Sequence, residues 1–392
     1  MDSITLQQVK ETVITNFPTL WEPVEVALSV VGAGLMKDLS HCIGLIYQDQ
    51  PSSSKTTVLD LLGDKEPIHF EPNFTPASFV SQWAGATKEA LKNIDLLPRI
   101  QHKILITKEM AGFFGQRSED LMTNIAALTE IFDGRGYQRS SGVHGQRGYR
   151  GDYRFCMIGA TTPLEHRVWQ ILGKLGSRWV LYRMPVEKIT PQKLADEMAG
   201  DYHEKIKKTK EKVGALIEEL WQKYGGFGGY EWNSGQDSSG LRGTIGAIAI
   251  KVCRWRGLQL RQDSVGYNPT LEEVPRRLAQ TLYALTRGHA LIHGRTQIDY
   301  DDVEFVSKIA YASMPEDRAR IFQYLREQEL AFEDDSQPLK TAITAKLLGC
   351  SFPTAEKVIS ELITLGILEK TGSDIYFTQP QQEHISIRNL IP

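Results

Sequence analysis

Lys55 and Thr56 close a polar turn, Gln48-Asp49-Gln50-Pro51-Ser52-Ser53-Ser54-Lys55-Thr56-Thr57. The turn follows the apolar run HCIGLIY at 41–47 and precedes a helix-like pattern at 58–62. A strand, a turn and a helix start, in that order, can wrap backbone N–H groups around phosphates. A Lys then reaches the terminal phosphates and a Ser or Thr hydroxyl takes Mg²⁺. The pattern G-x-x-x-x-G-K-[ST] is met at Lys55 and Thr56, but Asp49 and Ser54 stand at its glycine positions. Ser54 must therefore adopt backbone angles that glycine takes freely. The same residues also fit a plain polar turn. Read as a site, Pro51, Ser52, Ser53, Ser54, Lys55, Thr56 and Thr57 would bind ATP, with Mg²⁺ on Thr56.

Partner residues lie at the ends of other apolar runs. A nucleotide-hydrolysing site needs a carboxylate at a neighbouring strand end, to hold Mg²⁺ or orient water. Glu109 follows KILIT at 103–107, and Lys108 stands where a second acid would be expected. Thr162 follows FCMIG at 155–159 and suits either a γ-phosphate contact or a helix cap. Arg178 precedes a fourth run, WVLY at 179–182. An arginine there can reach a neighbouring subunit's nucleotide, or can form a structural ion pair.

These runs alternate with helix-like stretches, which predicts an α/β fold with a parallel sheet. Ligands of such sheets sit at the carboxyl ends of the strands, where the polar residues above fall. Helical spacing at 2–17 ends at Pro18, and 21–39 suits a second helix. Residues 188–325 read as longer helices. An acidic linker at 333–338 precedes a helix, a turn, a helix and a hairpin, the order of a winged helix-turn-helix. The expected divisions are 1–40, 41–187, 188–330 and 331–392.

The 392 residues are 41% hydrophobic and 24% charged, enough for a sizeable core over two or three domains. A net charge of -3 leaves only local surfaces for nucleic acid. The basic candidate is 134–154, where Arg135, Arg139, Arg147, Arg150 and Arg154 interleave with Tyr137, Tyr149 and Tyr153. Arginine for phosphate and aromatics for stacking suit single-stranded DNA; a surface loop or an acidic partner groove is the competing reading. From residue 333 onward eight acids face five bases, so the C-terminal module fits protein docking as well as DNA. His289 and His293 have the i, i+4 spacing of helix-borne metal ligands but lack an accompanying H-E-x-x-H acid, and read as structural. Four scattered cysteines and no ~20-residue apolar run suit a reducing cytoplasm without a membrane span.

Together these residues resemble the AAA+ ATPases, within them the minichromosome-maintenance and chelatase-like branch. Ser177-Arg178-Trp179 resembles that branch's arginine-finger motif, and Pro275-Arg276-Arg277-Leu278 its sensor-2 helix start. Residues 284–303 are similar to its lid. A narrower resemblance is to poorly characterised helicase-like ATPases of bacteria, phages and mobile elements, through Lys108-Glu109, Thr162-Pro163 and the run 175–183. The resemblance implies an ATP- and Mg²⁺-dependent ring, a hexamer, acting as a motor or loader on DNA. Catalytic roles would fall to Lys55, Glu109, Thr162, Arg178 and either Arg276 or Arg277. The missing glycines and Lys108 leave a second expectation: a nucleotide-gated scaffold with weak turnover that recruits a protein through its winged helix.

Overall fold

The computed structural model describes residues 4–81, 87–141, 145–176, 178–185, 190–259, 270–331, 339–372 and 374–377. Ser177 and the linker 333–338 lie outside the described residues. The chain divides into two units. The first holds residues 1–165, 177–236 and 284–298, and the second holds 166–176, 237–283 and 299–392.

The first unit is an α/β structure. Helix α1 (Leu6–Asn16) starts at Thr5, whose side chain accepts from the Gln8 amide while Gln8 returns the contact. Helix α2 (Trp21–Gly34) is apolar almost all round, and every residue but Glu22 is buried. A helix of that composition belongs in a core. Strand β1 (Ile43–Gln48) then runs fully buried into the polar turn, and α3 (Lys55–Leu61) leaves it. Strands β2 (Ile68–Phe70) and β3 (Ile104–Thr107) follow, then helix α4 (Ser118–Ile131). A hairpin of β4 (Gly136–Ser141) and β5 (Gly145–Arg150) precedes β6 (Cys156–Thr161) and β7 (Trp179–Arg183). Helix α5 (Tyr202–Lys223) packs on α1 and α3.

Five strands form one parallel sheet in the order β2-β3-β6-β1-β7. Strands buried on both faces read as unbroken apolar runs, which is why β1, β3, β6 and β7 were legible. The three residues of β2 are too few to show a period. From β1 the chain travels to one edge of the sheet, and from β6 it crosses β1 to the other. Adjacent strands whose connections leave in opposite directions open a crevice at their carboxyl ends. The turn 49–54 and Thr162 border that crevice.

The second unit contains α6 (Ser239–Arg256), a two-residue strand pair β8 (Leu258–Gln259) and β9 (Thr270–Leu271), and the first half of α7 (Arg276–Ile292). Helix α8 (Tyr300–Ala312) begins at Asp299, which closes a reciprocal cap with Asp302. At its C-terminal end are α9 (Thr341–Leu348), α10 (Phe352–Thr364) and the antiparallel pair β10 (Leu368–Thr371) and β11 (Asp374–Phe377). Buried Arg318 pairs with Glu361 of α10 at 2.9 Å and donates to the Trp255 carbonyl at 2.7 Å. No helix of the described residues is long and apolar enough to cross a membrane.

Candidate nucleotide site

The loop after β1 is strained as its sequence requires. Three non-glycine residues among those described have positive φ, and two are here: Ser52 at 64° and Ser54 at 63°. An L-residue in this region costs about 1–2 kcal/mol. Ser54 is the residue at which α3 starts, and its hydroxyl makes no capping bond. Among the described residues, the backbone N–H groups of Ser52 to Thr56 find no acceptor. The loop thus presents a row of amides at a helix start, the arrangement that binds anions.

Lys55 folds back across this loop. Its Nζ donates to the Asp49 carbonyl at 2.8 Å, the Gln50 carbonyl at 2.6 Å and the Ser53 hydroxyl at 3.0 Å. Burial pushes its ammonium below the ordinary lysine range, while the charges of Asp49 and Glu109 pull it back up. Glu109, after β3, is therefore electrically coupled to Lys55. One Glu109 oxygen accepts from the Ala111 amide at 2.7 Å. Lys108 is committed elsewhere: it pairs with Asp60 of α3 and lies 5.2 Å from the Phe70 ring centre. Thr56 is exposed, and the Thr57 hydroxyl is within 3.0 Å of the Tyr202 hydroxyl.

Three buried oxygens at the ends of adjacent strands have no hydrogen-bond partner: Gln48 Oε1, Thr107 Oγ1 and Thr161 Oγ1. Their residues are 3%, 1% and 1% exposed. Leaving a buried polar group unpaired costs about 1–3 kcal/mol, so three together at the strand ends call for an explanation. Sequence reasoning missed all three. Their strand-end position was the available signal, but the apolar runs drew the reading past them. Thr162 is the next residue after Thr161 and half-buried, and the Thr161 carbonyl accepts from the Asp49 amide at 3.4 Å.

Arg178 stands at the amino end of β7, the strand beside β1, and so at the opposite end of the strands from the loop. Trp179 is level with Gly44 at the start of β1, whereas the loop follows Gln48. At ~3.3 Å per residue, that end is roughly 15 Å or more from the loop. Arg178 pairs with Asp133 at 3.6 Å, and its side chain is 17% exposed. Arg276 opens α7 in the second unit and is exposed; Arg277 follows it.

The Arg/Tyr segment is a hairpin with Tyr137 opposite Tyr149 and Arg139 opposite Arg147. Alternation puts these four on one face. That face meets its own protein: Tyr149 donates to Asp95 at 2.7 Å, and Arg139 donates to the Val80 carbonyl at 3.3 Å. Burial, then the Asp95 carboxylate, hold the Tyr149 phenol well above its ordinary value. The other face carries Gln138, Ser140, Gln146 and Arg150, with Arg150 donating to Gln138 at 2.6 Å. Arg154 is spent on Asp152 at 2.7 Å and on the Leu39 carbonyl. Arg135 and Arg150 are exposed.

The search against family models and the search of curated proteins both return no match to this chain.

Proposed function

We propose that the crevice at the β1 and β6 strand ends binds a nucleoside triphosphate, and that the chain is an AAA+-type ATPase with a C-terminal winged helix. The observation that carries this reading is the strained, amide-lined loop 49–56 clamped by its own Lys55 beside three unpartnered strand-end oxygens. The donor set fits the ligand: free amides and an ammonium for phosphate oxygens, a hydroxyl and a carboxylate for Mg²⁺. Bound ATP with Mg²⁺ would supply the cleavable phosphoryl bond. Lys55 would exchange its three loop oxygens for phosphate. Thr56 would hold the metal, and Glu109, with Thr162, would orient the attacking water. Arg178, at the amino ends of the strands and away from the loop, would serve only a neighbouring subunit, so the reading includes an oligomer.

In the leading version the oligomer is a ring motor or loader on DNA. The contacts of the hairpin favour the gated scaffold as a second version, because Tyr149, Arg139 and Arg154 are already used inside the chain. Arg135 is exposed and open to an outside partner, whereas exposed Arg150 already holds Gln138. ATP hydrolysis by the purified chain, with and without single- and double-stranded DNA and beside Lys55→Ala, separates them. Turnover that rises with DNA and vanishes in Lys55→Ala supports the motor. Binding without DNA-responsive turnover supports the scaffold. No ATP binding at all refutes both.

A further inference from the structure

The two histidines set aside in the sequence have a partner there was no means of seeing. Glu25, on α2, lies 268 positions before His293 yet meets it at 2.9 Å, Oε1 to Nε2. The same oxygen is 3.6 Å from His289 Nε2. The three ligand atoms all lie within 4.8 Å of one another. All three residues belong to the first unit.

We propose that Glu25, His289 and His293 form a divalent transition-metal site, with zinc as its ion. Two imidazoles and one carboxylate are a known zinc donor set, and they leave one position for water. A tetrahedral ion with bonds of ~2.1 Å places its donors roughly 3.4 Å apart. The observed separations of 2.9 and 3.6 Å straddle that value, so the ion can enter with small side-chain shifts. A closed Ca²⁺ or Mg²⁺ cage would need more oxygens than this cluster offers.

The backbone fixes this geometry. Helices α2 and α7 touch at glycines: a Cβ on Gly288 would fall 2.2 Å from the Ser29 carbonyl oxygen, and one on Gly32 would fall 2.4 Å from the Gly288 carbonyl oxygen. Glu25 is one turn from Ser29, and His289 follows Gly288. The crossing therefore brings one helix's carboxylate to the other's histidine row. His293 continues that row past the end of α7, its amide donating to the His289 carbonyl at 3.3 Å. Glu25 and His289 are 9% and 5% exposed, whereas the His293 side chain is 34% exposed and lines a cleft of ≈ 460 Å³ with Trp21, Glu219, Lys223 and Tyr224. A metal and its water can thus reach the site from solvent.

The test is zinc titration of the full, tag-free chain after chelator treatment, read by calorimetry and by the absorption of a cobalt replacement. One ion per chain, with tetrahedral cobalt bands, is expected. His293→Ala and Glu25→Gln should each weaken binding by more than the roughly 10- to 100-fold that follows loss of a mere supporting partner. His203→Ala, an exposed histidine elsewhere, should change nothing. His293 is at the surface, so His293→Ala should stay folded in chelator, its melt lowered only by the lost contact to Glu25, which separates a lost ligand from a lost fold. Equal zinc affinity in the parent and His293→Ala, or no saturable binding in the parent, overturns the assignment.

Discussion

At the scale of the residue, Ser54 shows a local requirement that a template made visible and the backbone met. Glycine was expected there, serine was found, and its φ of 63° carries the strain. Ser54→Gly should relieve about 1–2 kcal/mol of that strain. The flexible glycine gives back about 0.5–1 kcal/mol in the unfolded chain, so the net gain should be about 0–1.5 kcal/mol. Ser54→Ala keeps the Cβ and should gain nothing. Urea unfolding midpoints of the three proteins decide this; an equal gain from alanine would mean the hydroxyl, not the backbone angle, is the cost. Residue-scale legibility stopped where partners are remote. Lys55 and Glu109 were readable because strand ends bring them together in any sheet of this kind. Glu25 was not, because nothing near it in sequence distinguishes a buried helix carboxylate destined for two histidines. Thr107 was hidden by its apolar neighbours, and Gln48 and Thr161 passed as ordinary polar residues after an apolar run.

At the scale of the element, composition located the Arg/Tyr segment and four of the five strands of the parallel sheet, but composition does not say which face turns inward. The pairing of Arg139 with Arg147 and of Tyr137 with Tyr149 follows from register, and the groups that hold this face inward, Asp95 and the Val80 carbonyl, come from a different segment. The helix pair α2 and α7 makes the same point for packing. Gly32 and Gly288 are unremarkable in the sequence, yet each occupies space in which a Cβ would meet backbone within 2.5 Å. Gly288→Ala should therefore cost about 1–3 kcal/mol or more, since neither helix backbone can yield as a flexible side chain would. Gly246→Ala is the control, because a Cβ there meets nothing within 4 Å and should gain stability, as alanine does in a helix. Denaturant melts measure both. A Gly288→Ala chain as stable as the parent would mean that the two helices are free to separate.

At the scale of the whole molecule, the position of Arg178 decides what an assembled form must do. Arg178 lies roughly 15 Å or more along the strands from the loop after β1, and its guanidinium is held by Asp133 at 3.6 Å. In an assembly it would exchange that carboxylate for the neighbour's phosphate, so the Asp133 contact competes with the trans role. The ion pair is partly screened, and its loss should cost roughly 1 kcal/mol or less in stability. Two variants then separate a finger from a strut. If Arg178 acts in trans, Arg178→Ala should abolish ATP turnover while nucleotide binding stays within a few-fold, and Asp133→Asn should raise turnover by removing one competing contact. If Arg178 is only structural, both variants should lower the unfolding midpoint together and change turnover in proportion to the folded fraction. Mixing adds a sharper reading. Inactive Lys55→Ala subunits keep their arginine, and Arg178→Ala subunits keep their loop. Where a finger of the first faces a loop of the second, a complete site is rebuilt, so mixtures of the two dead proteins should recover turnover with a maximum near equal proportions. Two separately dead proteins that stay dead when mixed under conditions of assembly would remove Arg178 from the neighbour's site.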